Sequence, residues 1–226
     1  MRHGRTDANA QGILAGRAPG VVLDEVGRAS AGALRERLAS VPIAHVVTSP
    51  LERTVETATL AFTDAIPVTQ DVRLIECDYG DWQGKPLVEL ATHEMWPVVQ
   101  QRPDEMIFPN GEAMSDMSKR AVASIREWDA RLTSEHGDKV IWAAVSHGDV
   151  IKAICADALG MPLAKFQRLM VEPASICVIS YGEHGSSVVK LNDTGESWLT
   201  ALGERAHIAP TLGGEVAGTA QTGDNT

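Results

Sequence analysis

Arg2-His3-Gly4, at the start of a 226-residue chain, joins three residue types suited to one kind of chemistry. The guanidinium of Arg2 is a planar fork of donors that matches two oxygens of a phosphate. His3 is a nitrogen nucleophile that is neutral near physiological pH. Gly4 permits backbone shapes that a side chain would block. Three residues recur often by chance. The triplet gains meaning only if the chain also supplies a second arginine, a second histidine and a proton donor.

The second arginine lies in Ser49-Pro50-Leu51-Glu52-Arg53-Thr54, directly after the apolar run 44–48. Ser49 suits an N-cap, Pro50 the first turn, and Glu52 completes a capping box, so a strand-to-helix junction is expected there. Arg53 then sits one turn inside a helix whose unpaired amides favour anions. The second histidine lies in Ser146-His147-Gly148-Asp149, after the apolar run 140–145. Open α/β sheets bind ligands at such strand ends, and Gly148 would let a backbone amide approach a phosphate. Glu76, flanked by Leu74, Ile75, Tyr79 and Trp82, is a carboxyl that partial desolvation would keep protonated. Taken singly, each has a plainer reading: a surface arginine, a structural histidine, a solvated loop acid.

The elements that must position these residues are legible in outline. The runs 44–48 and 140–145 read as strands buried on both faces, as in a parallel sheet. Ser175 to Tyr181 and Ser187 to Leu191 read as a hairpin across Gly182-Glu183-His184-Gly185-Ser186. Met114, Met117, Ala121, Ile125, Trp128 and Leu132 form one apolar stripe at helical spacing. Further helices are expected near 27–39 and 149–159. Alternating strands and helices imply an α/β domain, a three-layer α/β/α sandwich with a mostly parallel central sheet. Pro86, Pro97, Pro103 and Pro109 break the pattern between 85 and 112, which reads as a partly helical lid excursion. The catalytic domain is expected to span 1–202, with a disordered tail over 203–226.

Composition narrows the partners. A formal charge of −10 disfavours nucleic acid, whereas a few arginines in a cleft can still hold a small anion. No apolar run is long enough to cross a bilayer, and no signal-type stretch follows Arg2 and Arg5, so a cytoplasmic protein is expected. Cys77, Cys155 and Cys177 lack Cys-x-x-Cys spacing and fit reduced thiols. Cysteine phosphatase chemistry needs an arginine six positions after the cysteine, where Gln83, Met161 and Glu183 stand instead. Gly84-Lys85 is followed by Pro86, which rules out a P-loop. His93-Glu94-Met95-Trp96-Pro97 is not a zinc motif, and His45, His136, His184 and His207 have no metal-like partners. Neither a metal nor a cofactor is expected, and nothing indicates an oligomer.

In order and spacing, Arg2-His3-Gly4-Arg5-Thr6-Asp7-Ala8-Asn9, Ser49-Pro50-Leu51-Glu52-Arg53-Thr54, Glu76 with Gly80-Asp81-Trp82, and Ser146-His147-Gly148 resemble the histidine phosphatase superfamily. The resemblance is to the branch that contains cofactor-dependent phosphoglycerate mutases. It implies that His3 attacks phosphorus and becomes phosphohistidine. Arg2, Arg53 and His147 would hold the equatorial oxygens, with Asn9 and the Gly148 amide. Glu76 would protonate the leaving oxygen and then deprotonate the hydrolytic water. Two arginines and a cationic histidine would supply the positive charge without a metal.

The chain departs from the family pattern in two places. An apolar strand normally precedes the arginine–histidine–glycine triplet, and here Met1 stands where it should be ending. The sheet is therefore expected to lack its first strand, with the true start upstream and Met1 read from an in-frame valine codon. Between 77 and 112 only Lys85 and Arg102 could hold a second acidic group, which favours hydrolysis of a small phosphate monoester over a mutase cycle. Asp149 is the rival proton donor. A phospholigand-binding protein without catalysis is the rival function.

Overall fold

Two apolar runs become adjacent parallel strands, and their alternating side chains define the layers. The computed structural model describes residues 1–195. The tail expected at 203–226 and the end of the expected 1–202 domain lie outside the described residues. The chain begins with α1 (Asp7–Gln11), α2 (Glu25–Leu38), β1 (Ile43–Thr48) and α3 (Glu52–Ala61). It continues through β2 (Val68–Gln70), the short α4 (Leu87–Leu90) and α5 (Trp96–Gln101), and the long α6 (Met114–His136). β3 (Ile141–Val145), α7 (Gly148–Ala158), β4 (Ile176–Gly182) and β5 (Gly185–Asp193) complete it.

The parallel sheet has the order β2-β1-β3, and β4 and β5 form an antiparallel hairpin. Val46, Ala143 and Val145 point to one side of the sheet, where they pack with Leu34 of α2 and Ala58 and Ala61 of α3. Val47, Trp142 and Ala144 point to the other, against Met117, Ala121 and Ile125 of α6 and Val150 and Ile154 of α7. Strand side chains alternate with period two, so one residue of offset assigns each to its own helical layer. The three-layer α/β/α arrangement follows. The six stripe positions of α6 foreseen from sequence are all buried. β2, only three residues long, was not foreseen.

Residues 1–3 occupy the space between β3 and the hairpin. Ser146 N–H donates to Met1 O at 2.9 Å, and His3 N–H donates to Ser146 O at 3.0 Å. On the other side Arg2 N–H donates to Ser175 O and Ala174 N–H to His3 O. The triplet is thereby tied into both neighbours, and Arg2 and His3 are buried. Gly4 matters by close approach: a Cβ there would lie 2.5 Å from Gly27 O of α2.

The apolar side chains of the 85–112 excursion join the core on the α6 and α7 side of the sheet. Trp82 stacks on Trp96 at 6.3 Å and meets Phe108 edge-on, while Met106 is buried among them. None of Trp82, Met95, Trp96 and Met106 lines the cleft described below. Among the described residues no helix is long and apolar enough to cross a membrane.

Candidate active site

The cleft opens at the carboxyl ends of β1 and β3 and is lined by His3, Thr6, Asn9, Leu14, Ala15, Gly16, Arg53, Glu76 and Tyr79. Four of these, His3, Arg53, Glu76 and Tyr79, are ionisable and buried. Arg2, His147 and Gly148 are buried in the wall behind it.

His3 has a defined tautomer. Its Nδ1 lies 2.7 Å from Gly4 O, and a carbonyl can only accept, so the proton is on Nδ1. Nε2 therefore carries the lone pair, and Arg53 Nε donates to it at 3.3 Å. Burial and the nearby Arg53 and Arg2 guanidiniums hold the His3 pKa well below the ordinary histidine value. This favours the neutral imidazole, the form in which a ring nitrogen has a lone pair to offer.

The His147 ring lies 5.3 Å from that of His3. Its Nε2 is 2.8 Å from Ser49 Oγ, and its Nδ1 has no hydrogen-bond partner among the described residues. Burial, then Arg53, His3 and Arg2, hold its pKa well below the ordinary value. The cationic histidine expected from sequence runs against this environment, in which burial first and the two guanidiniums second favour the neutral ring. Ser49 corrects a second expectation. α3 has Leu51 as its N-cap with no side-chain capping bond, and no capping box forms. The Ser49 hydroxyl meets His147 at 2.8 Å and accepts only a long 3.4 Å bond from Leu51 N–H, and Glu52 accepts from Gly20 N–H at 3.0 Å. Asn9 is also partly committed: its Oδ1 accepts from the Thr6 amide and hydroxyl, so only its amide nitrogen could meet an anion.

Glu76 is 4% exposed and accepts a 2.8 Å hydrogen bond from Cys77 N–H. Burial, then the Asp149 carboxylate, push its pKa up to about 7. Two residues that sequence reasoning missed hold its backbone. Arg17 Nε donates to Glu76 O at 2.8 Å, and Arg120 donates to the carbonyls of Arg73, Ile75 and Glu76. Glu112 accepts from both arginines and from Asp78 N–H. Arg17 and Arg120 lie 59 and 44 positions from Glu76, and no local pattern marks either. Lys85 does not line the cleft, and Arg102 is exposed and paired with Glu105.

A model of the histidine phosphatase superfamily (branch 1) matches residues 1–194. The bifunctional protein Rv2228c of Mycobacterium tuberculosis is 35% identical over 202 residues, 86% of this chain and 53% of that protein. The chain thus spans about half the length of this curated relative. The probable phosphoglycerate mutase GpmB of Yersinia enterocolitica is 29% identical over 217 residues, 90% of this chain and 96% of its own. Among solved structures, the mycobacterial glucosyl-3-phosphoglycerate phosphatase Rv2419c in complex with VO3 superposes with a TM-score of 0.76. It is 26% identical, and the match covers 85% of this chain and 96% of that one.

Proposed function

The chain belongs to branch 1 of the histidine phosphatase superfamily, and from that premise we propose that it hydrolyses a small phosphate monoester through a phosphohistidine on His3. The observation that carries the reading is a pairing inside one cleft. A neutral imidazole presents its Nε2 lone pair, and a buried carboxyl pushed up to about 7 can still be protonated near neutral pH.

Arg53 and Arg2, with His147, the Asn9 amide and the Gly148 N–H, take the non-bridging oxygens and offset their charge. His3 Nε2 attacks phosphorus in line, the bond from phosphorus to the ester oxygen breaks, and Glu76 gives that oxygen its proton. The bond from His3 Nδ1–H to Gly4 O stabilises the cationic ring of the intermediate. Water then attacks the phosphohistidine, Glu76 carboxylate takes its proton, and the N–P bond returns its electrons to His3. Phosphate leaves. The positive charge on Arg2 and Arg53 supplies what a metal would otherwise provide.

Hydrolysis is favoured over mutase transfer because the cations near the cleft are occupied. Arg17 pairs with Asp78 and Glu112, and Arg120 with Glu112, which leaves neither set for a second acidic group. A leaving-group series tests the assignment of Glu76. Glu76→Gln should lower kcat/KM for an alkyl phosphate by about 10³-fold but for p-nitrophenyl phosphate by far less, because that phenolate departs unprotonated. Equal losses on both substrates would remove Glu76 from the role of acid.

A further inference from the structure

Gly16 lines the cleft, and the peptide joining it to Arg17 is bonded at both ends. Its carbonyl, Gly16 O, accepts from Arg53 Nη2 at 2.7 Å. Its N–H, on Arg17, donates to Gln83 Oε1 at 2.7 Å. A peptide unit is planar, so a partner on the N–H fixes where the opposite carbonyl points. Gly16 has φ 54°, a left-handed conformation that favours glycine. A Cβ there would lie 2.8 Å from Gln83 Oε1 and 3.1 Å from Tyr79 Cδ2, so the turn sits flush against both side chains. Gln83 is itself placed by the backbone around it. Gly84 N–H donates to Leu14 O at 2.8 Å, and Leu14 N–H donates to Lys85 O at 3.0 Å. The other end of the arrangement reaches the nucleophile, since Arg53 Nε donates to His3 Nε2 at 3.3 Å.

We propose that Gln83, at the root of the 85–112 excursion, is a positioning residue for Arg53: it orients the Gly16–Arg17 peptide, whose carbonyl holds that guanidinium beside His3. The proposal rests on the reading of Arg53 as a holder of phosphoryl oxygens. Arg53 is 2% exposed, so losing Gly16 O as an acceptor would not be made good by bulk water. A flip of the peptide would turn the Arg17 N–H towards the guanidinium, which can only donate. Gln83 opposes that flip, because its Oε1 accepts only while the N–H faces it. A second path leaves the same turn, where Arg17 Nε donates to Glu76 O at 2.8 Å. That path runs along the Arg17 side chain, which Asp78 and Glu112 also hold, whereas the path to Arg53 is the peptide plane itself. Gln83 therefore acts on the grip of the phosphoryl oxygens and leaves proton transfer by Glu76 alone.

A double-mutant cycle between Gln83→Leu and Arg53→Ala tests this, read as kcat/KM for p-nitrophenyl phosphate and for glycerol 2-phosphate. Gln83→Leu removes the acceptor at a half-buried site and should lower kcat/KM by about tenfold, equally on both esters. Gln83→Glu keeps an oxygen for the Arg17 N–H and should regain most of that loss. In the Arg53→Ala background Gln83→Leu should cost nothing further, because the group it positions is gone. A general loosening of the fold would add the same loss there. Arg53→Met takes the place of Arg53→Ala if the latter does not fold, and Gln83→Ala that of Gln83→Leu. A loss repeated in full in the Arg53→Ala background overturns the proposal, as does a Gln83→Glu variant no better than Gln83→Leu. A loss confined to glycerol 2-phosphate overturns it too, because the effect would then run to Glu76. If Arg53→Ala keeps near-wild-type turnover, Arg53 does not hold the phosphate, and the proposal falls with that reading. If Arg53→Ala is crippled while Gln83→Leu matches wild type, only the role of Gln83 fails.

Discussion

Asp71 and Glu76 are five residues apart on one segment, both buried, and driven in opposite directions. Burial pushes each carboxyl towards its neutral form. At Asp71 that push is overridden by hydrogen bonds from Arg73, from Ser124 Oγ at 2.8 Å and from Trp128 Nε1 at 2.9 Å, which hold it well below the carboxylate range. Glu76 accepts from the Cys77 amide and faces the negative Asp149, and it is pushed up to about 7. Burial alone therefore does not decide the proton. The donors and the sign of the neighbouring charge do. Asp71 is a structural anchor that ties β2 to α6, and Glu76 is a group left able to exchange its proton.

The comparison can be broken by changing either partner. Asp71→Ala should cost about 3 kcal/mol in urea unfolding, because Arg73, Ser124 and Trp128 lose a buried acceptor. Near-wild-type stability would show that these donors find water instead. A smaller effect of opposite sign is expected at Glu76. Its folded pKa lies above the unfolded value of about 4.3, so its contribution is present below about pH 4 and is lost as pH rises through about 7. Glu76→Gln keeps the acceptor for Cys77 N–H and removes the ionisation. It should raise the urea stability by roughly 2 kcal/mol at pH 8 and by little at pH 4. Asp71 runs the other way: its folded pKa is depressed, so its contribution is present above about pH 4 and lost as pH falls through the folded value. A Glu76→Gln variant no more stable than wild type at pH 8 would mean that Glu76 ionises freely in the fold.

The sequence showed the frame of the site better than its supports. The strands ending at Thr48 and Val145 were visible as apolar runs, and their ends fixed where Arg53 and His147 had to emerge. α6 was readable because its buried stripe repeats at three and four. The side chains that orient the site were not readable in the same way. Ser49 looks like a helix cap because a local rule fits it, yet its hydroxyl is bound to a histidine 98 positions away. Arg17 and Arg120, bridged by Glu112, meet the Glu76 carbonyl only through tertiary contact. Asp149 read as a rival acid, and only the fold places Tyr79 and Lys152 as donors on its two oxygens. Local chemistry names the candidate groups, while the side chains that hold them arrive from elsewhere in the fold.

Rapid acid-free quenching after mixing with a ³²P-labelled phosphate monoester tests the central claim most directly. The account predicts acid-labile, base-stable label on His3, absent in His3→Ala and accumulating when the leaving group is p-nitrophenol. Turnover of the ester by the folded protein with no label on His3 at any quench time would contradict it.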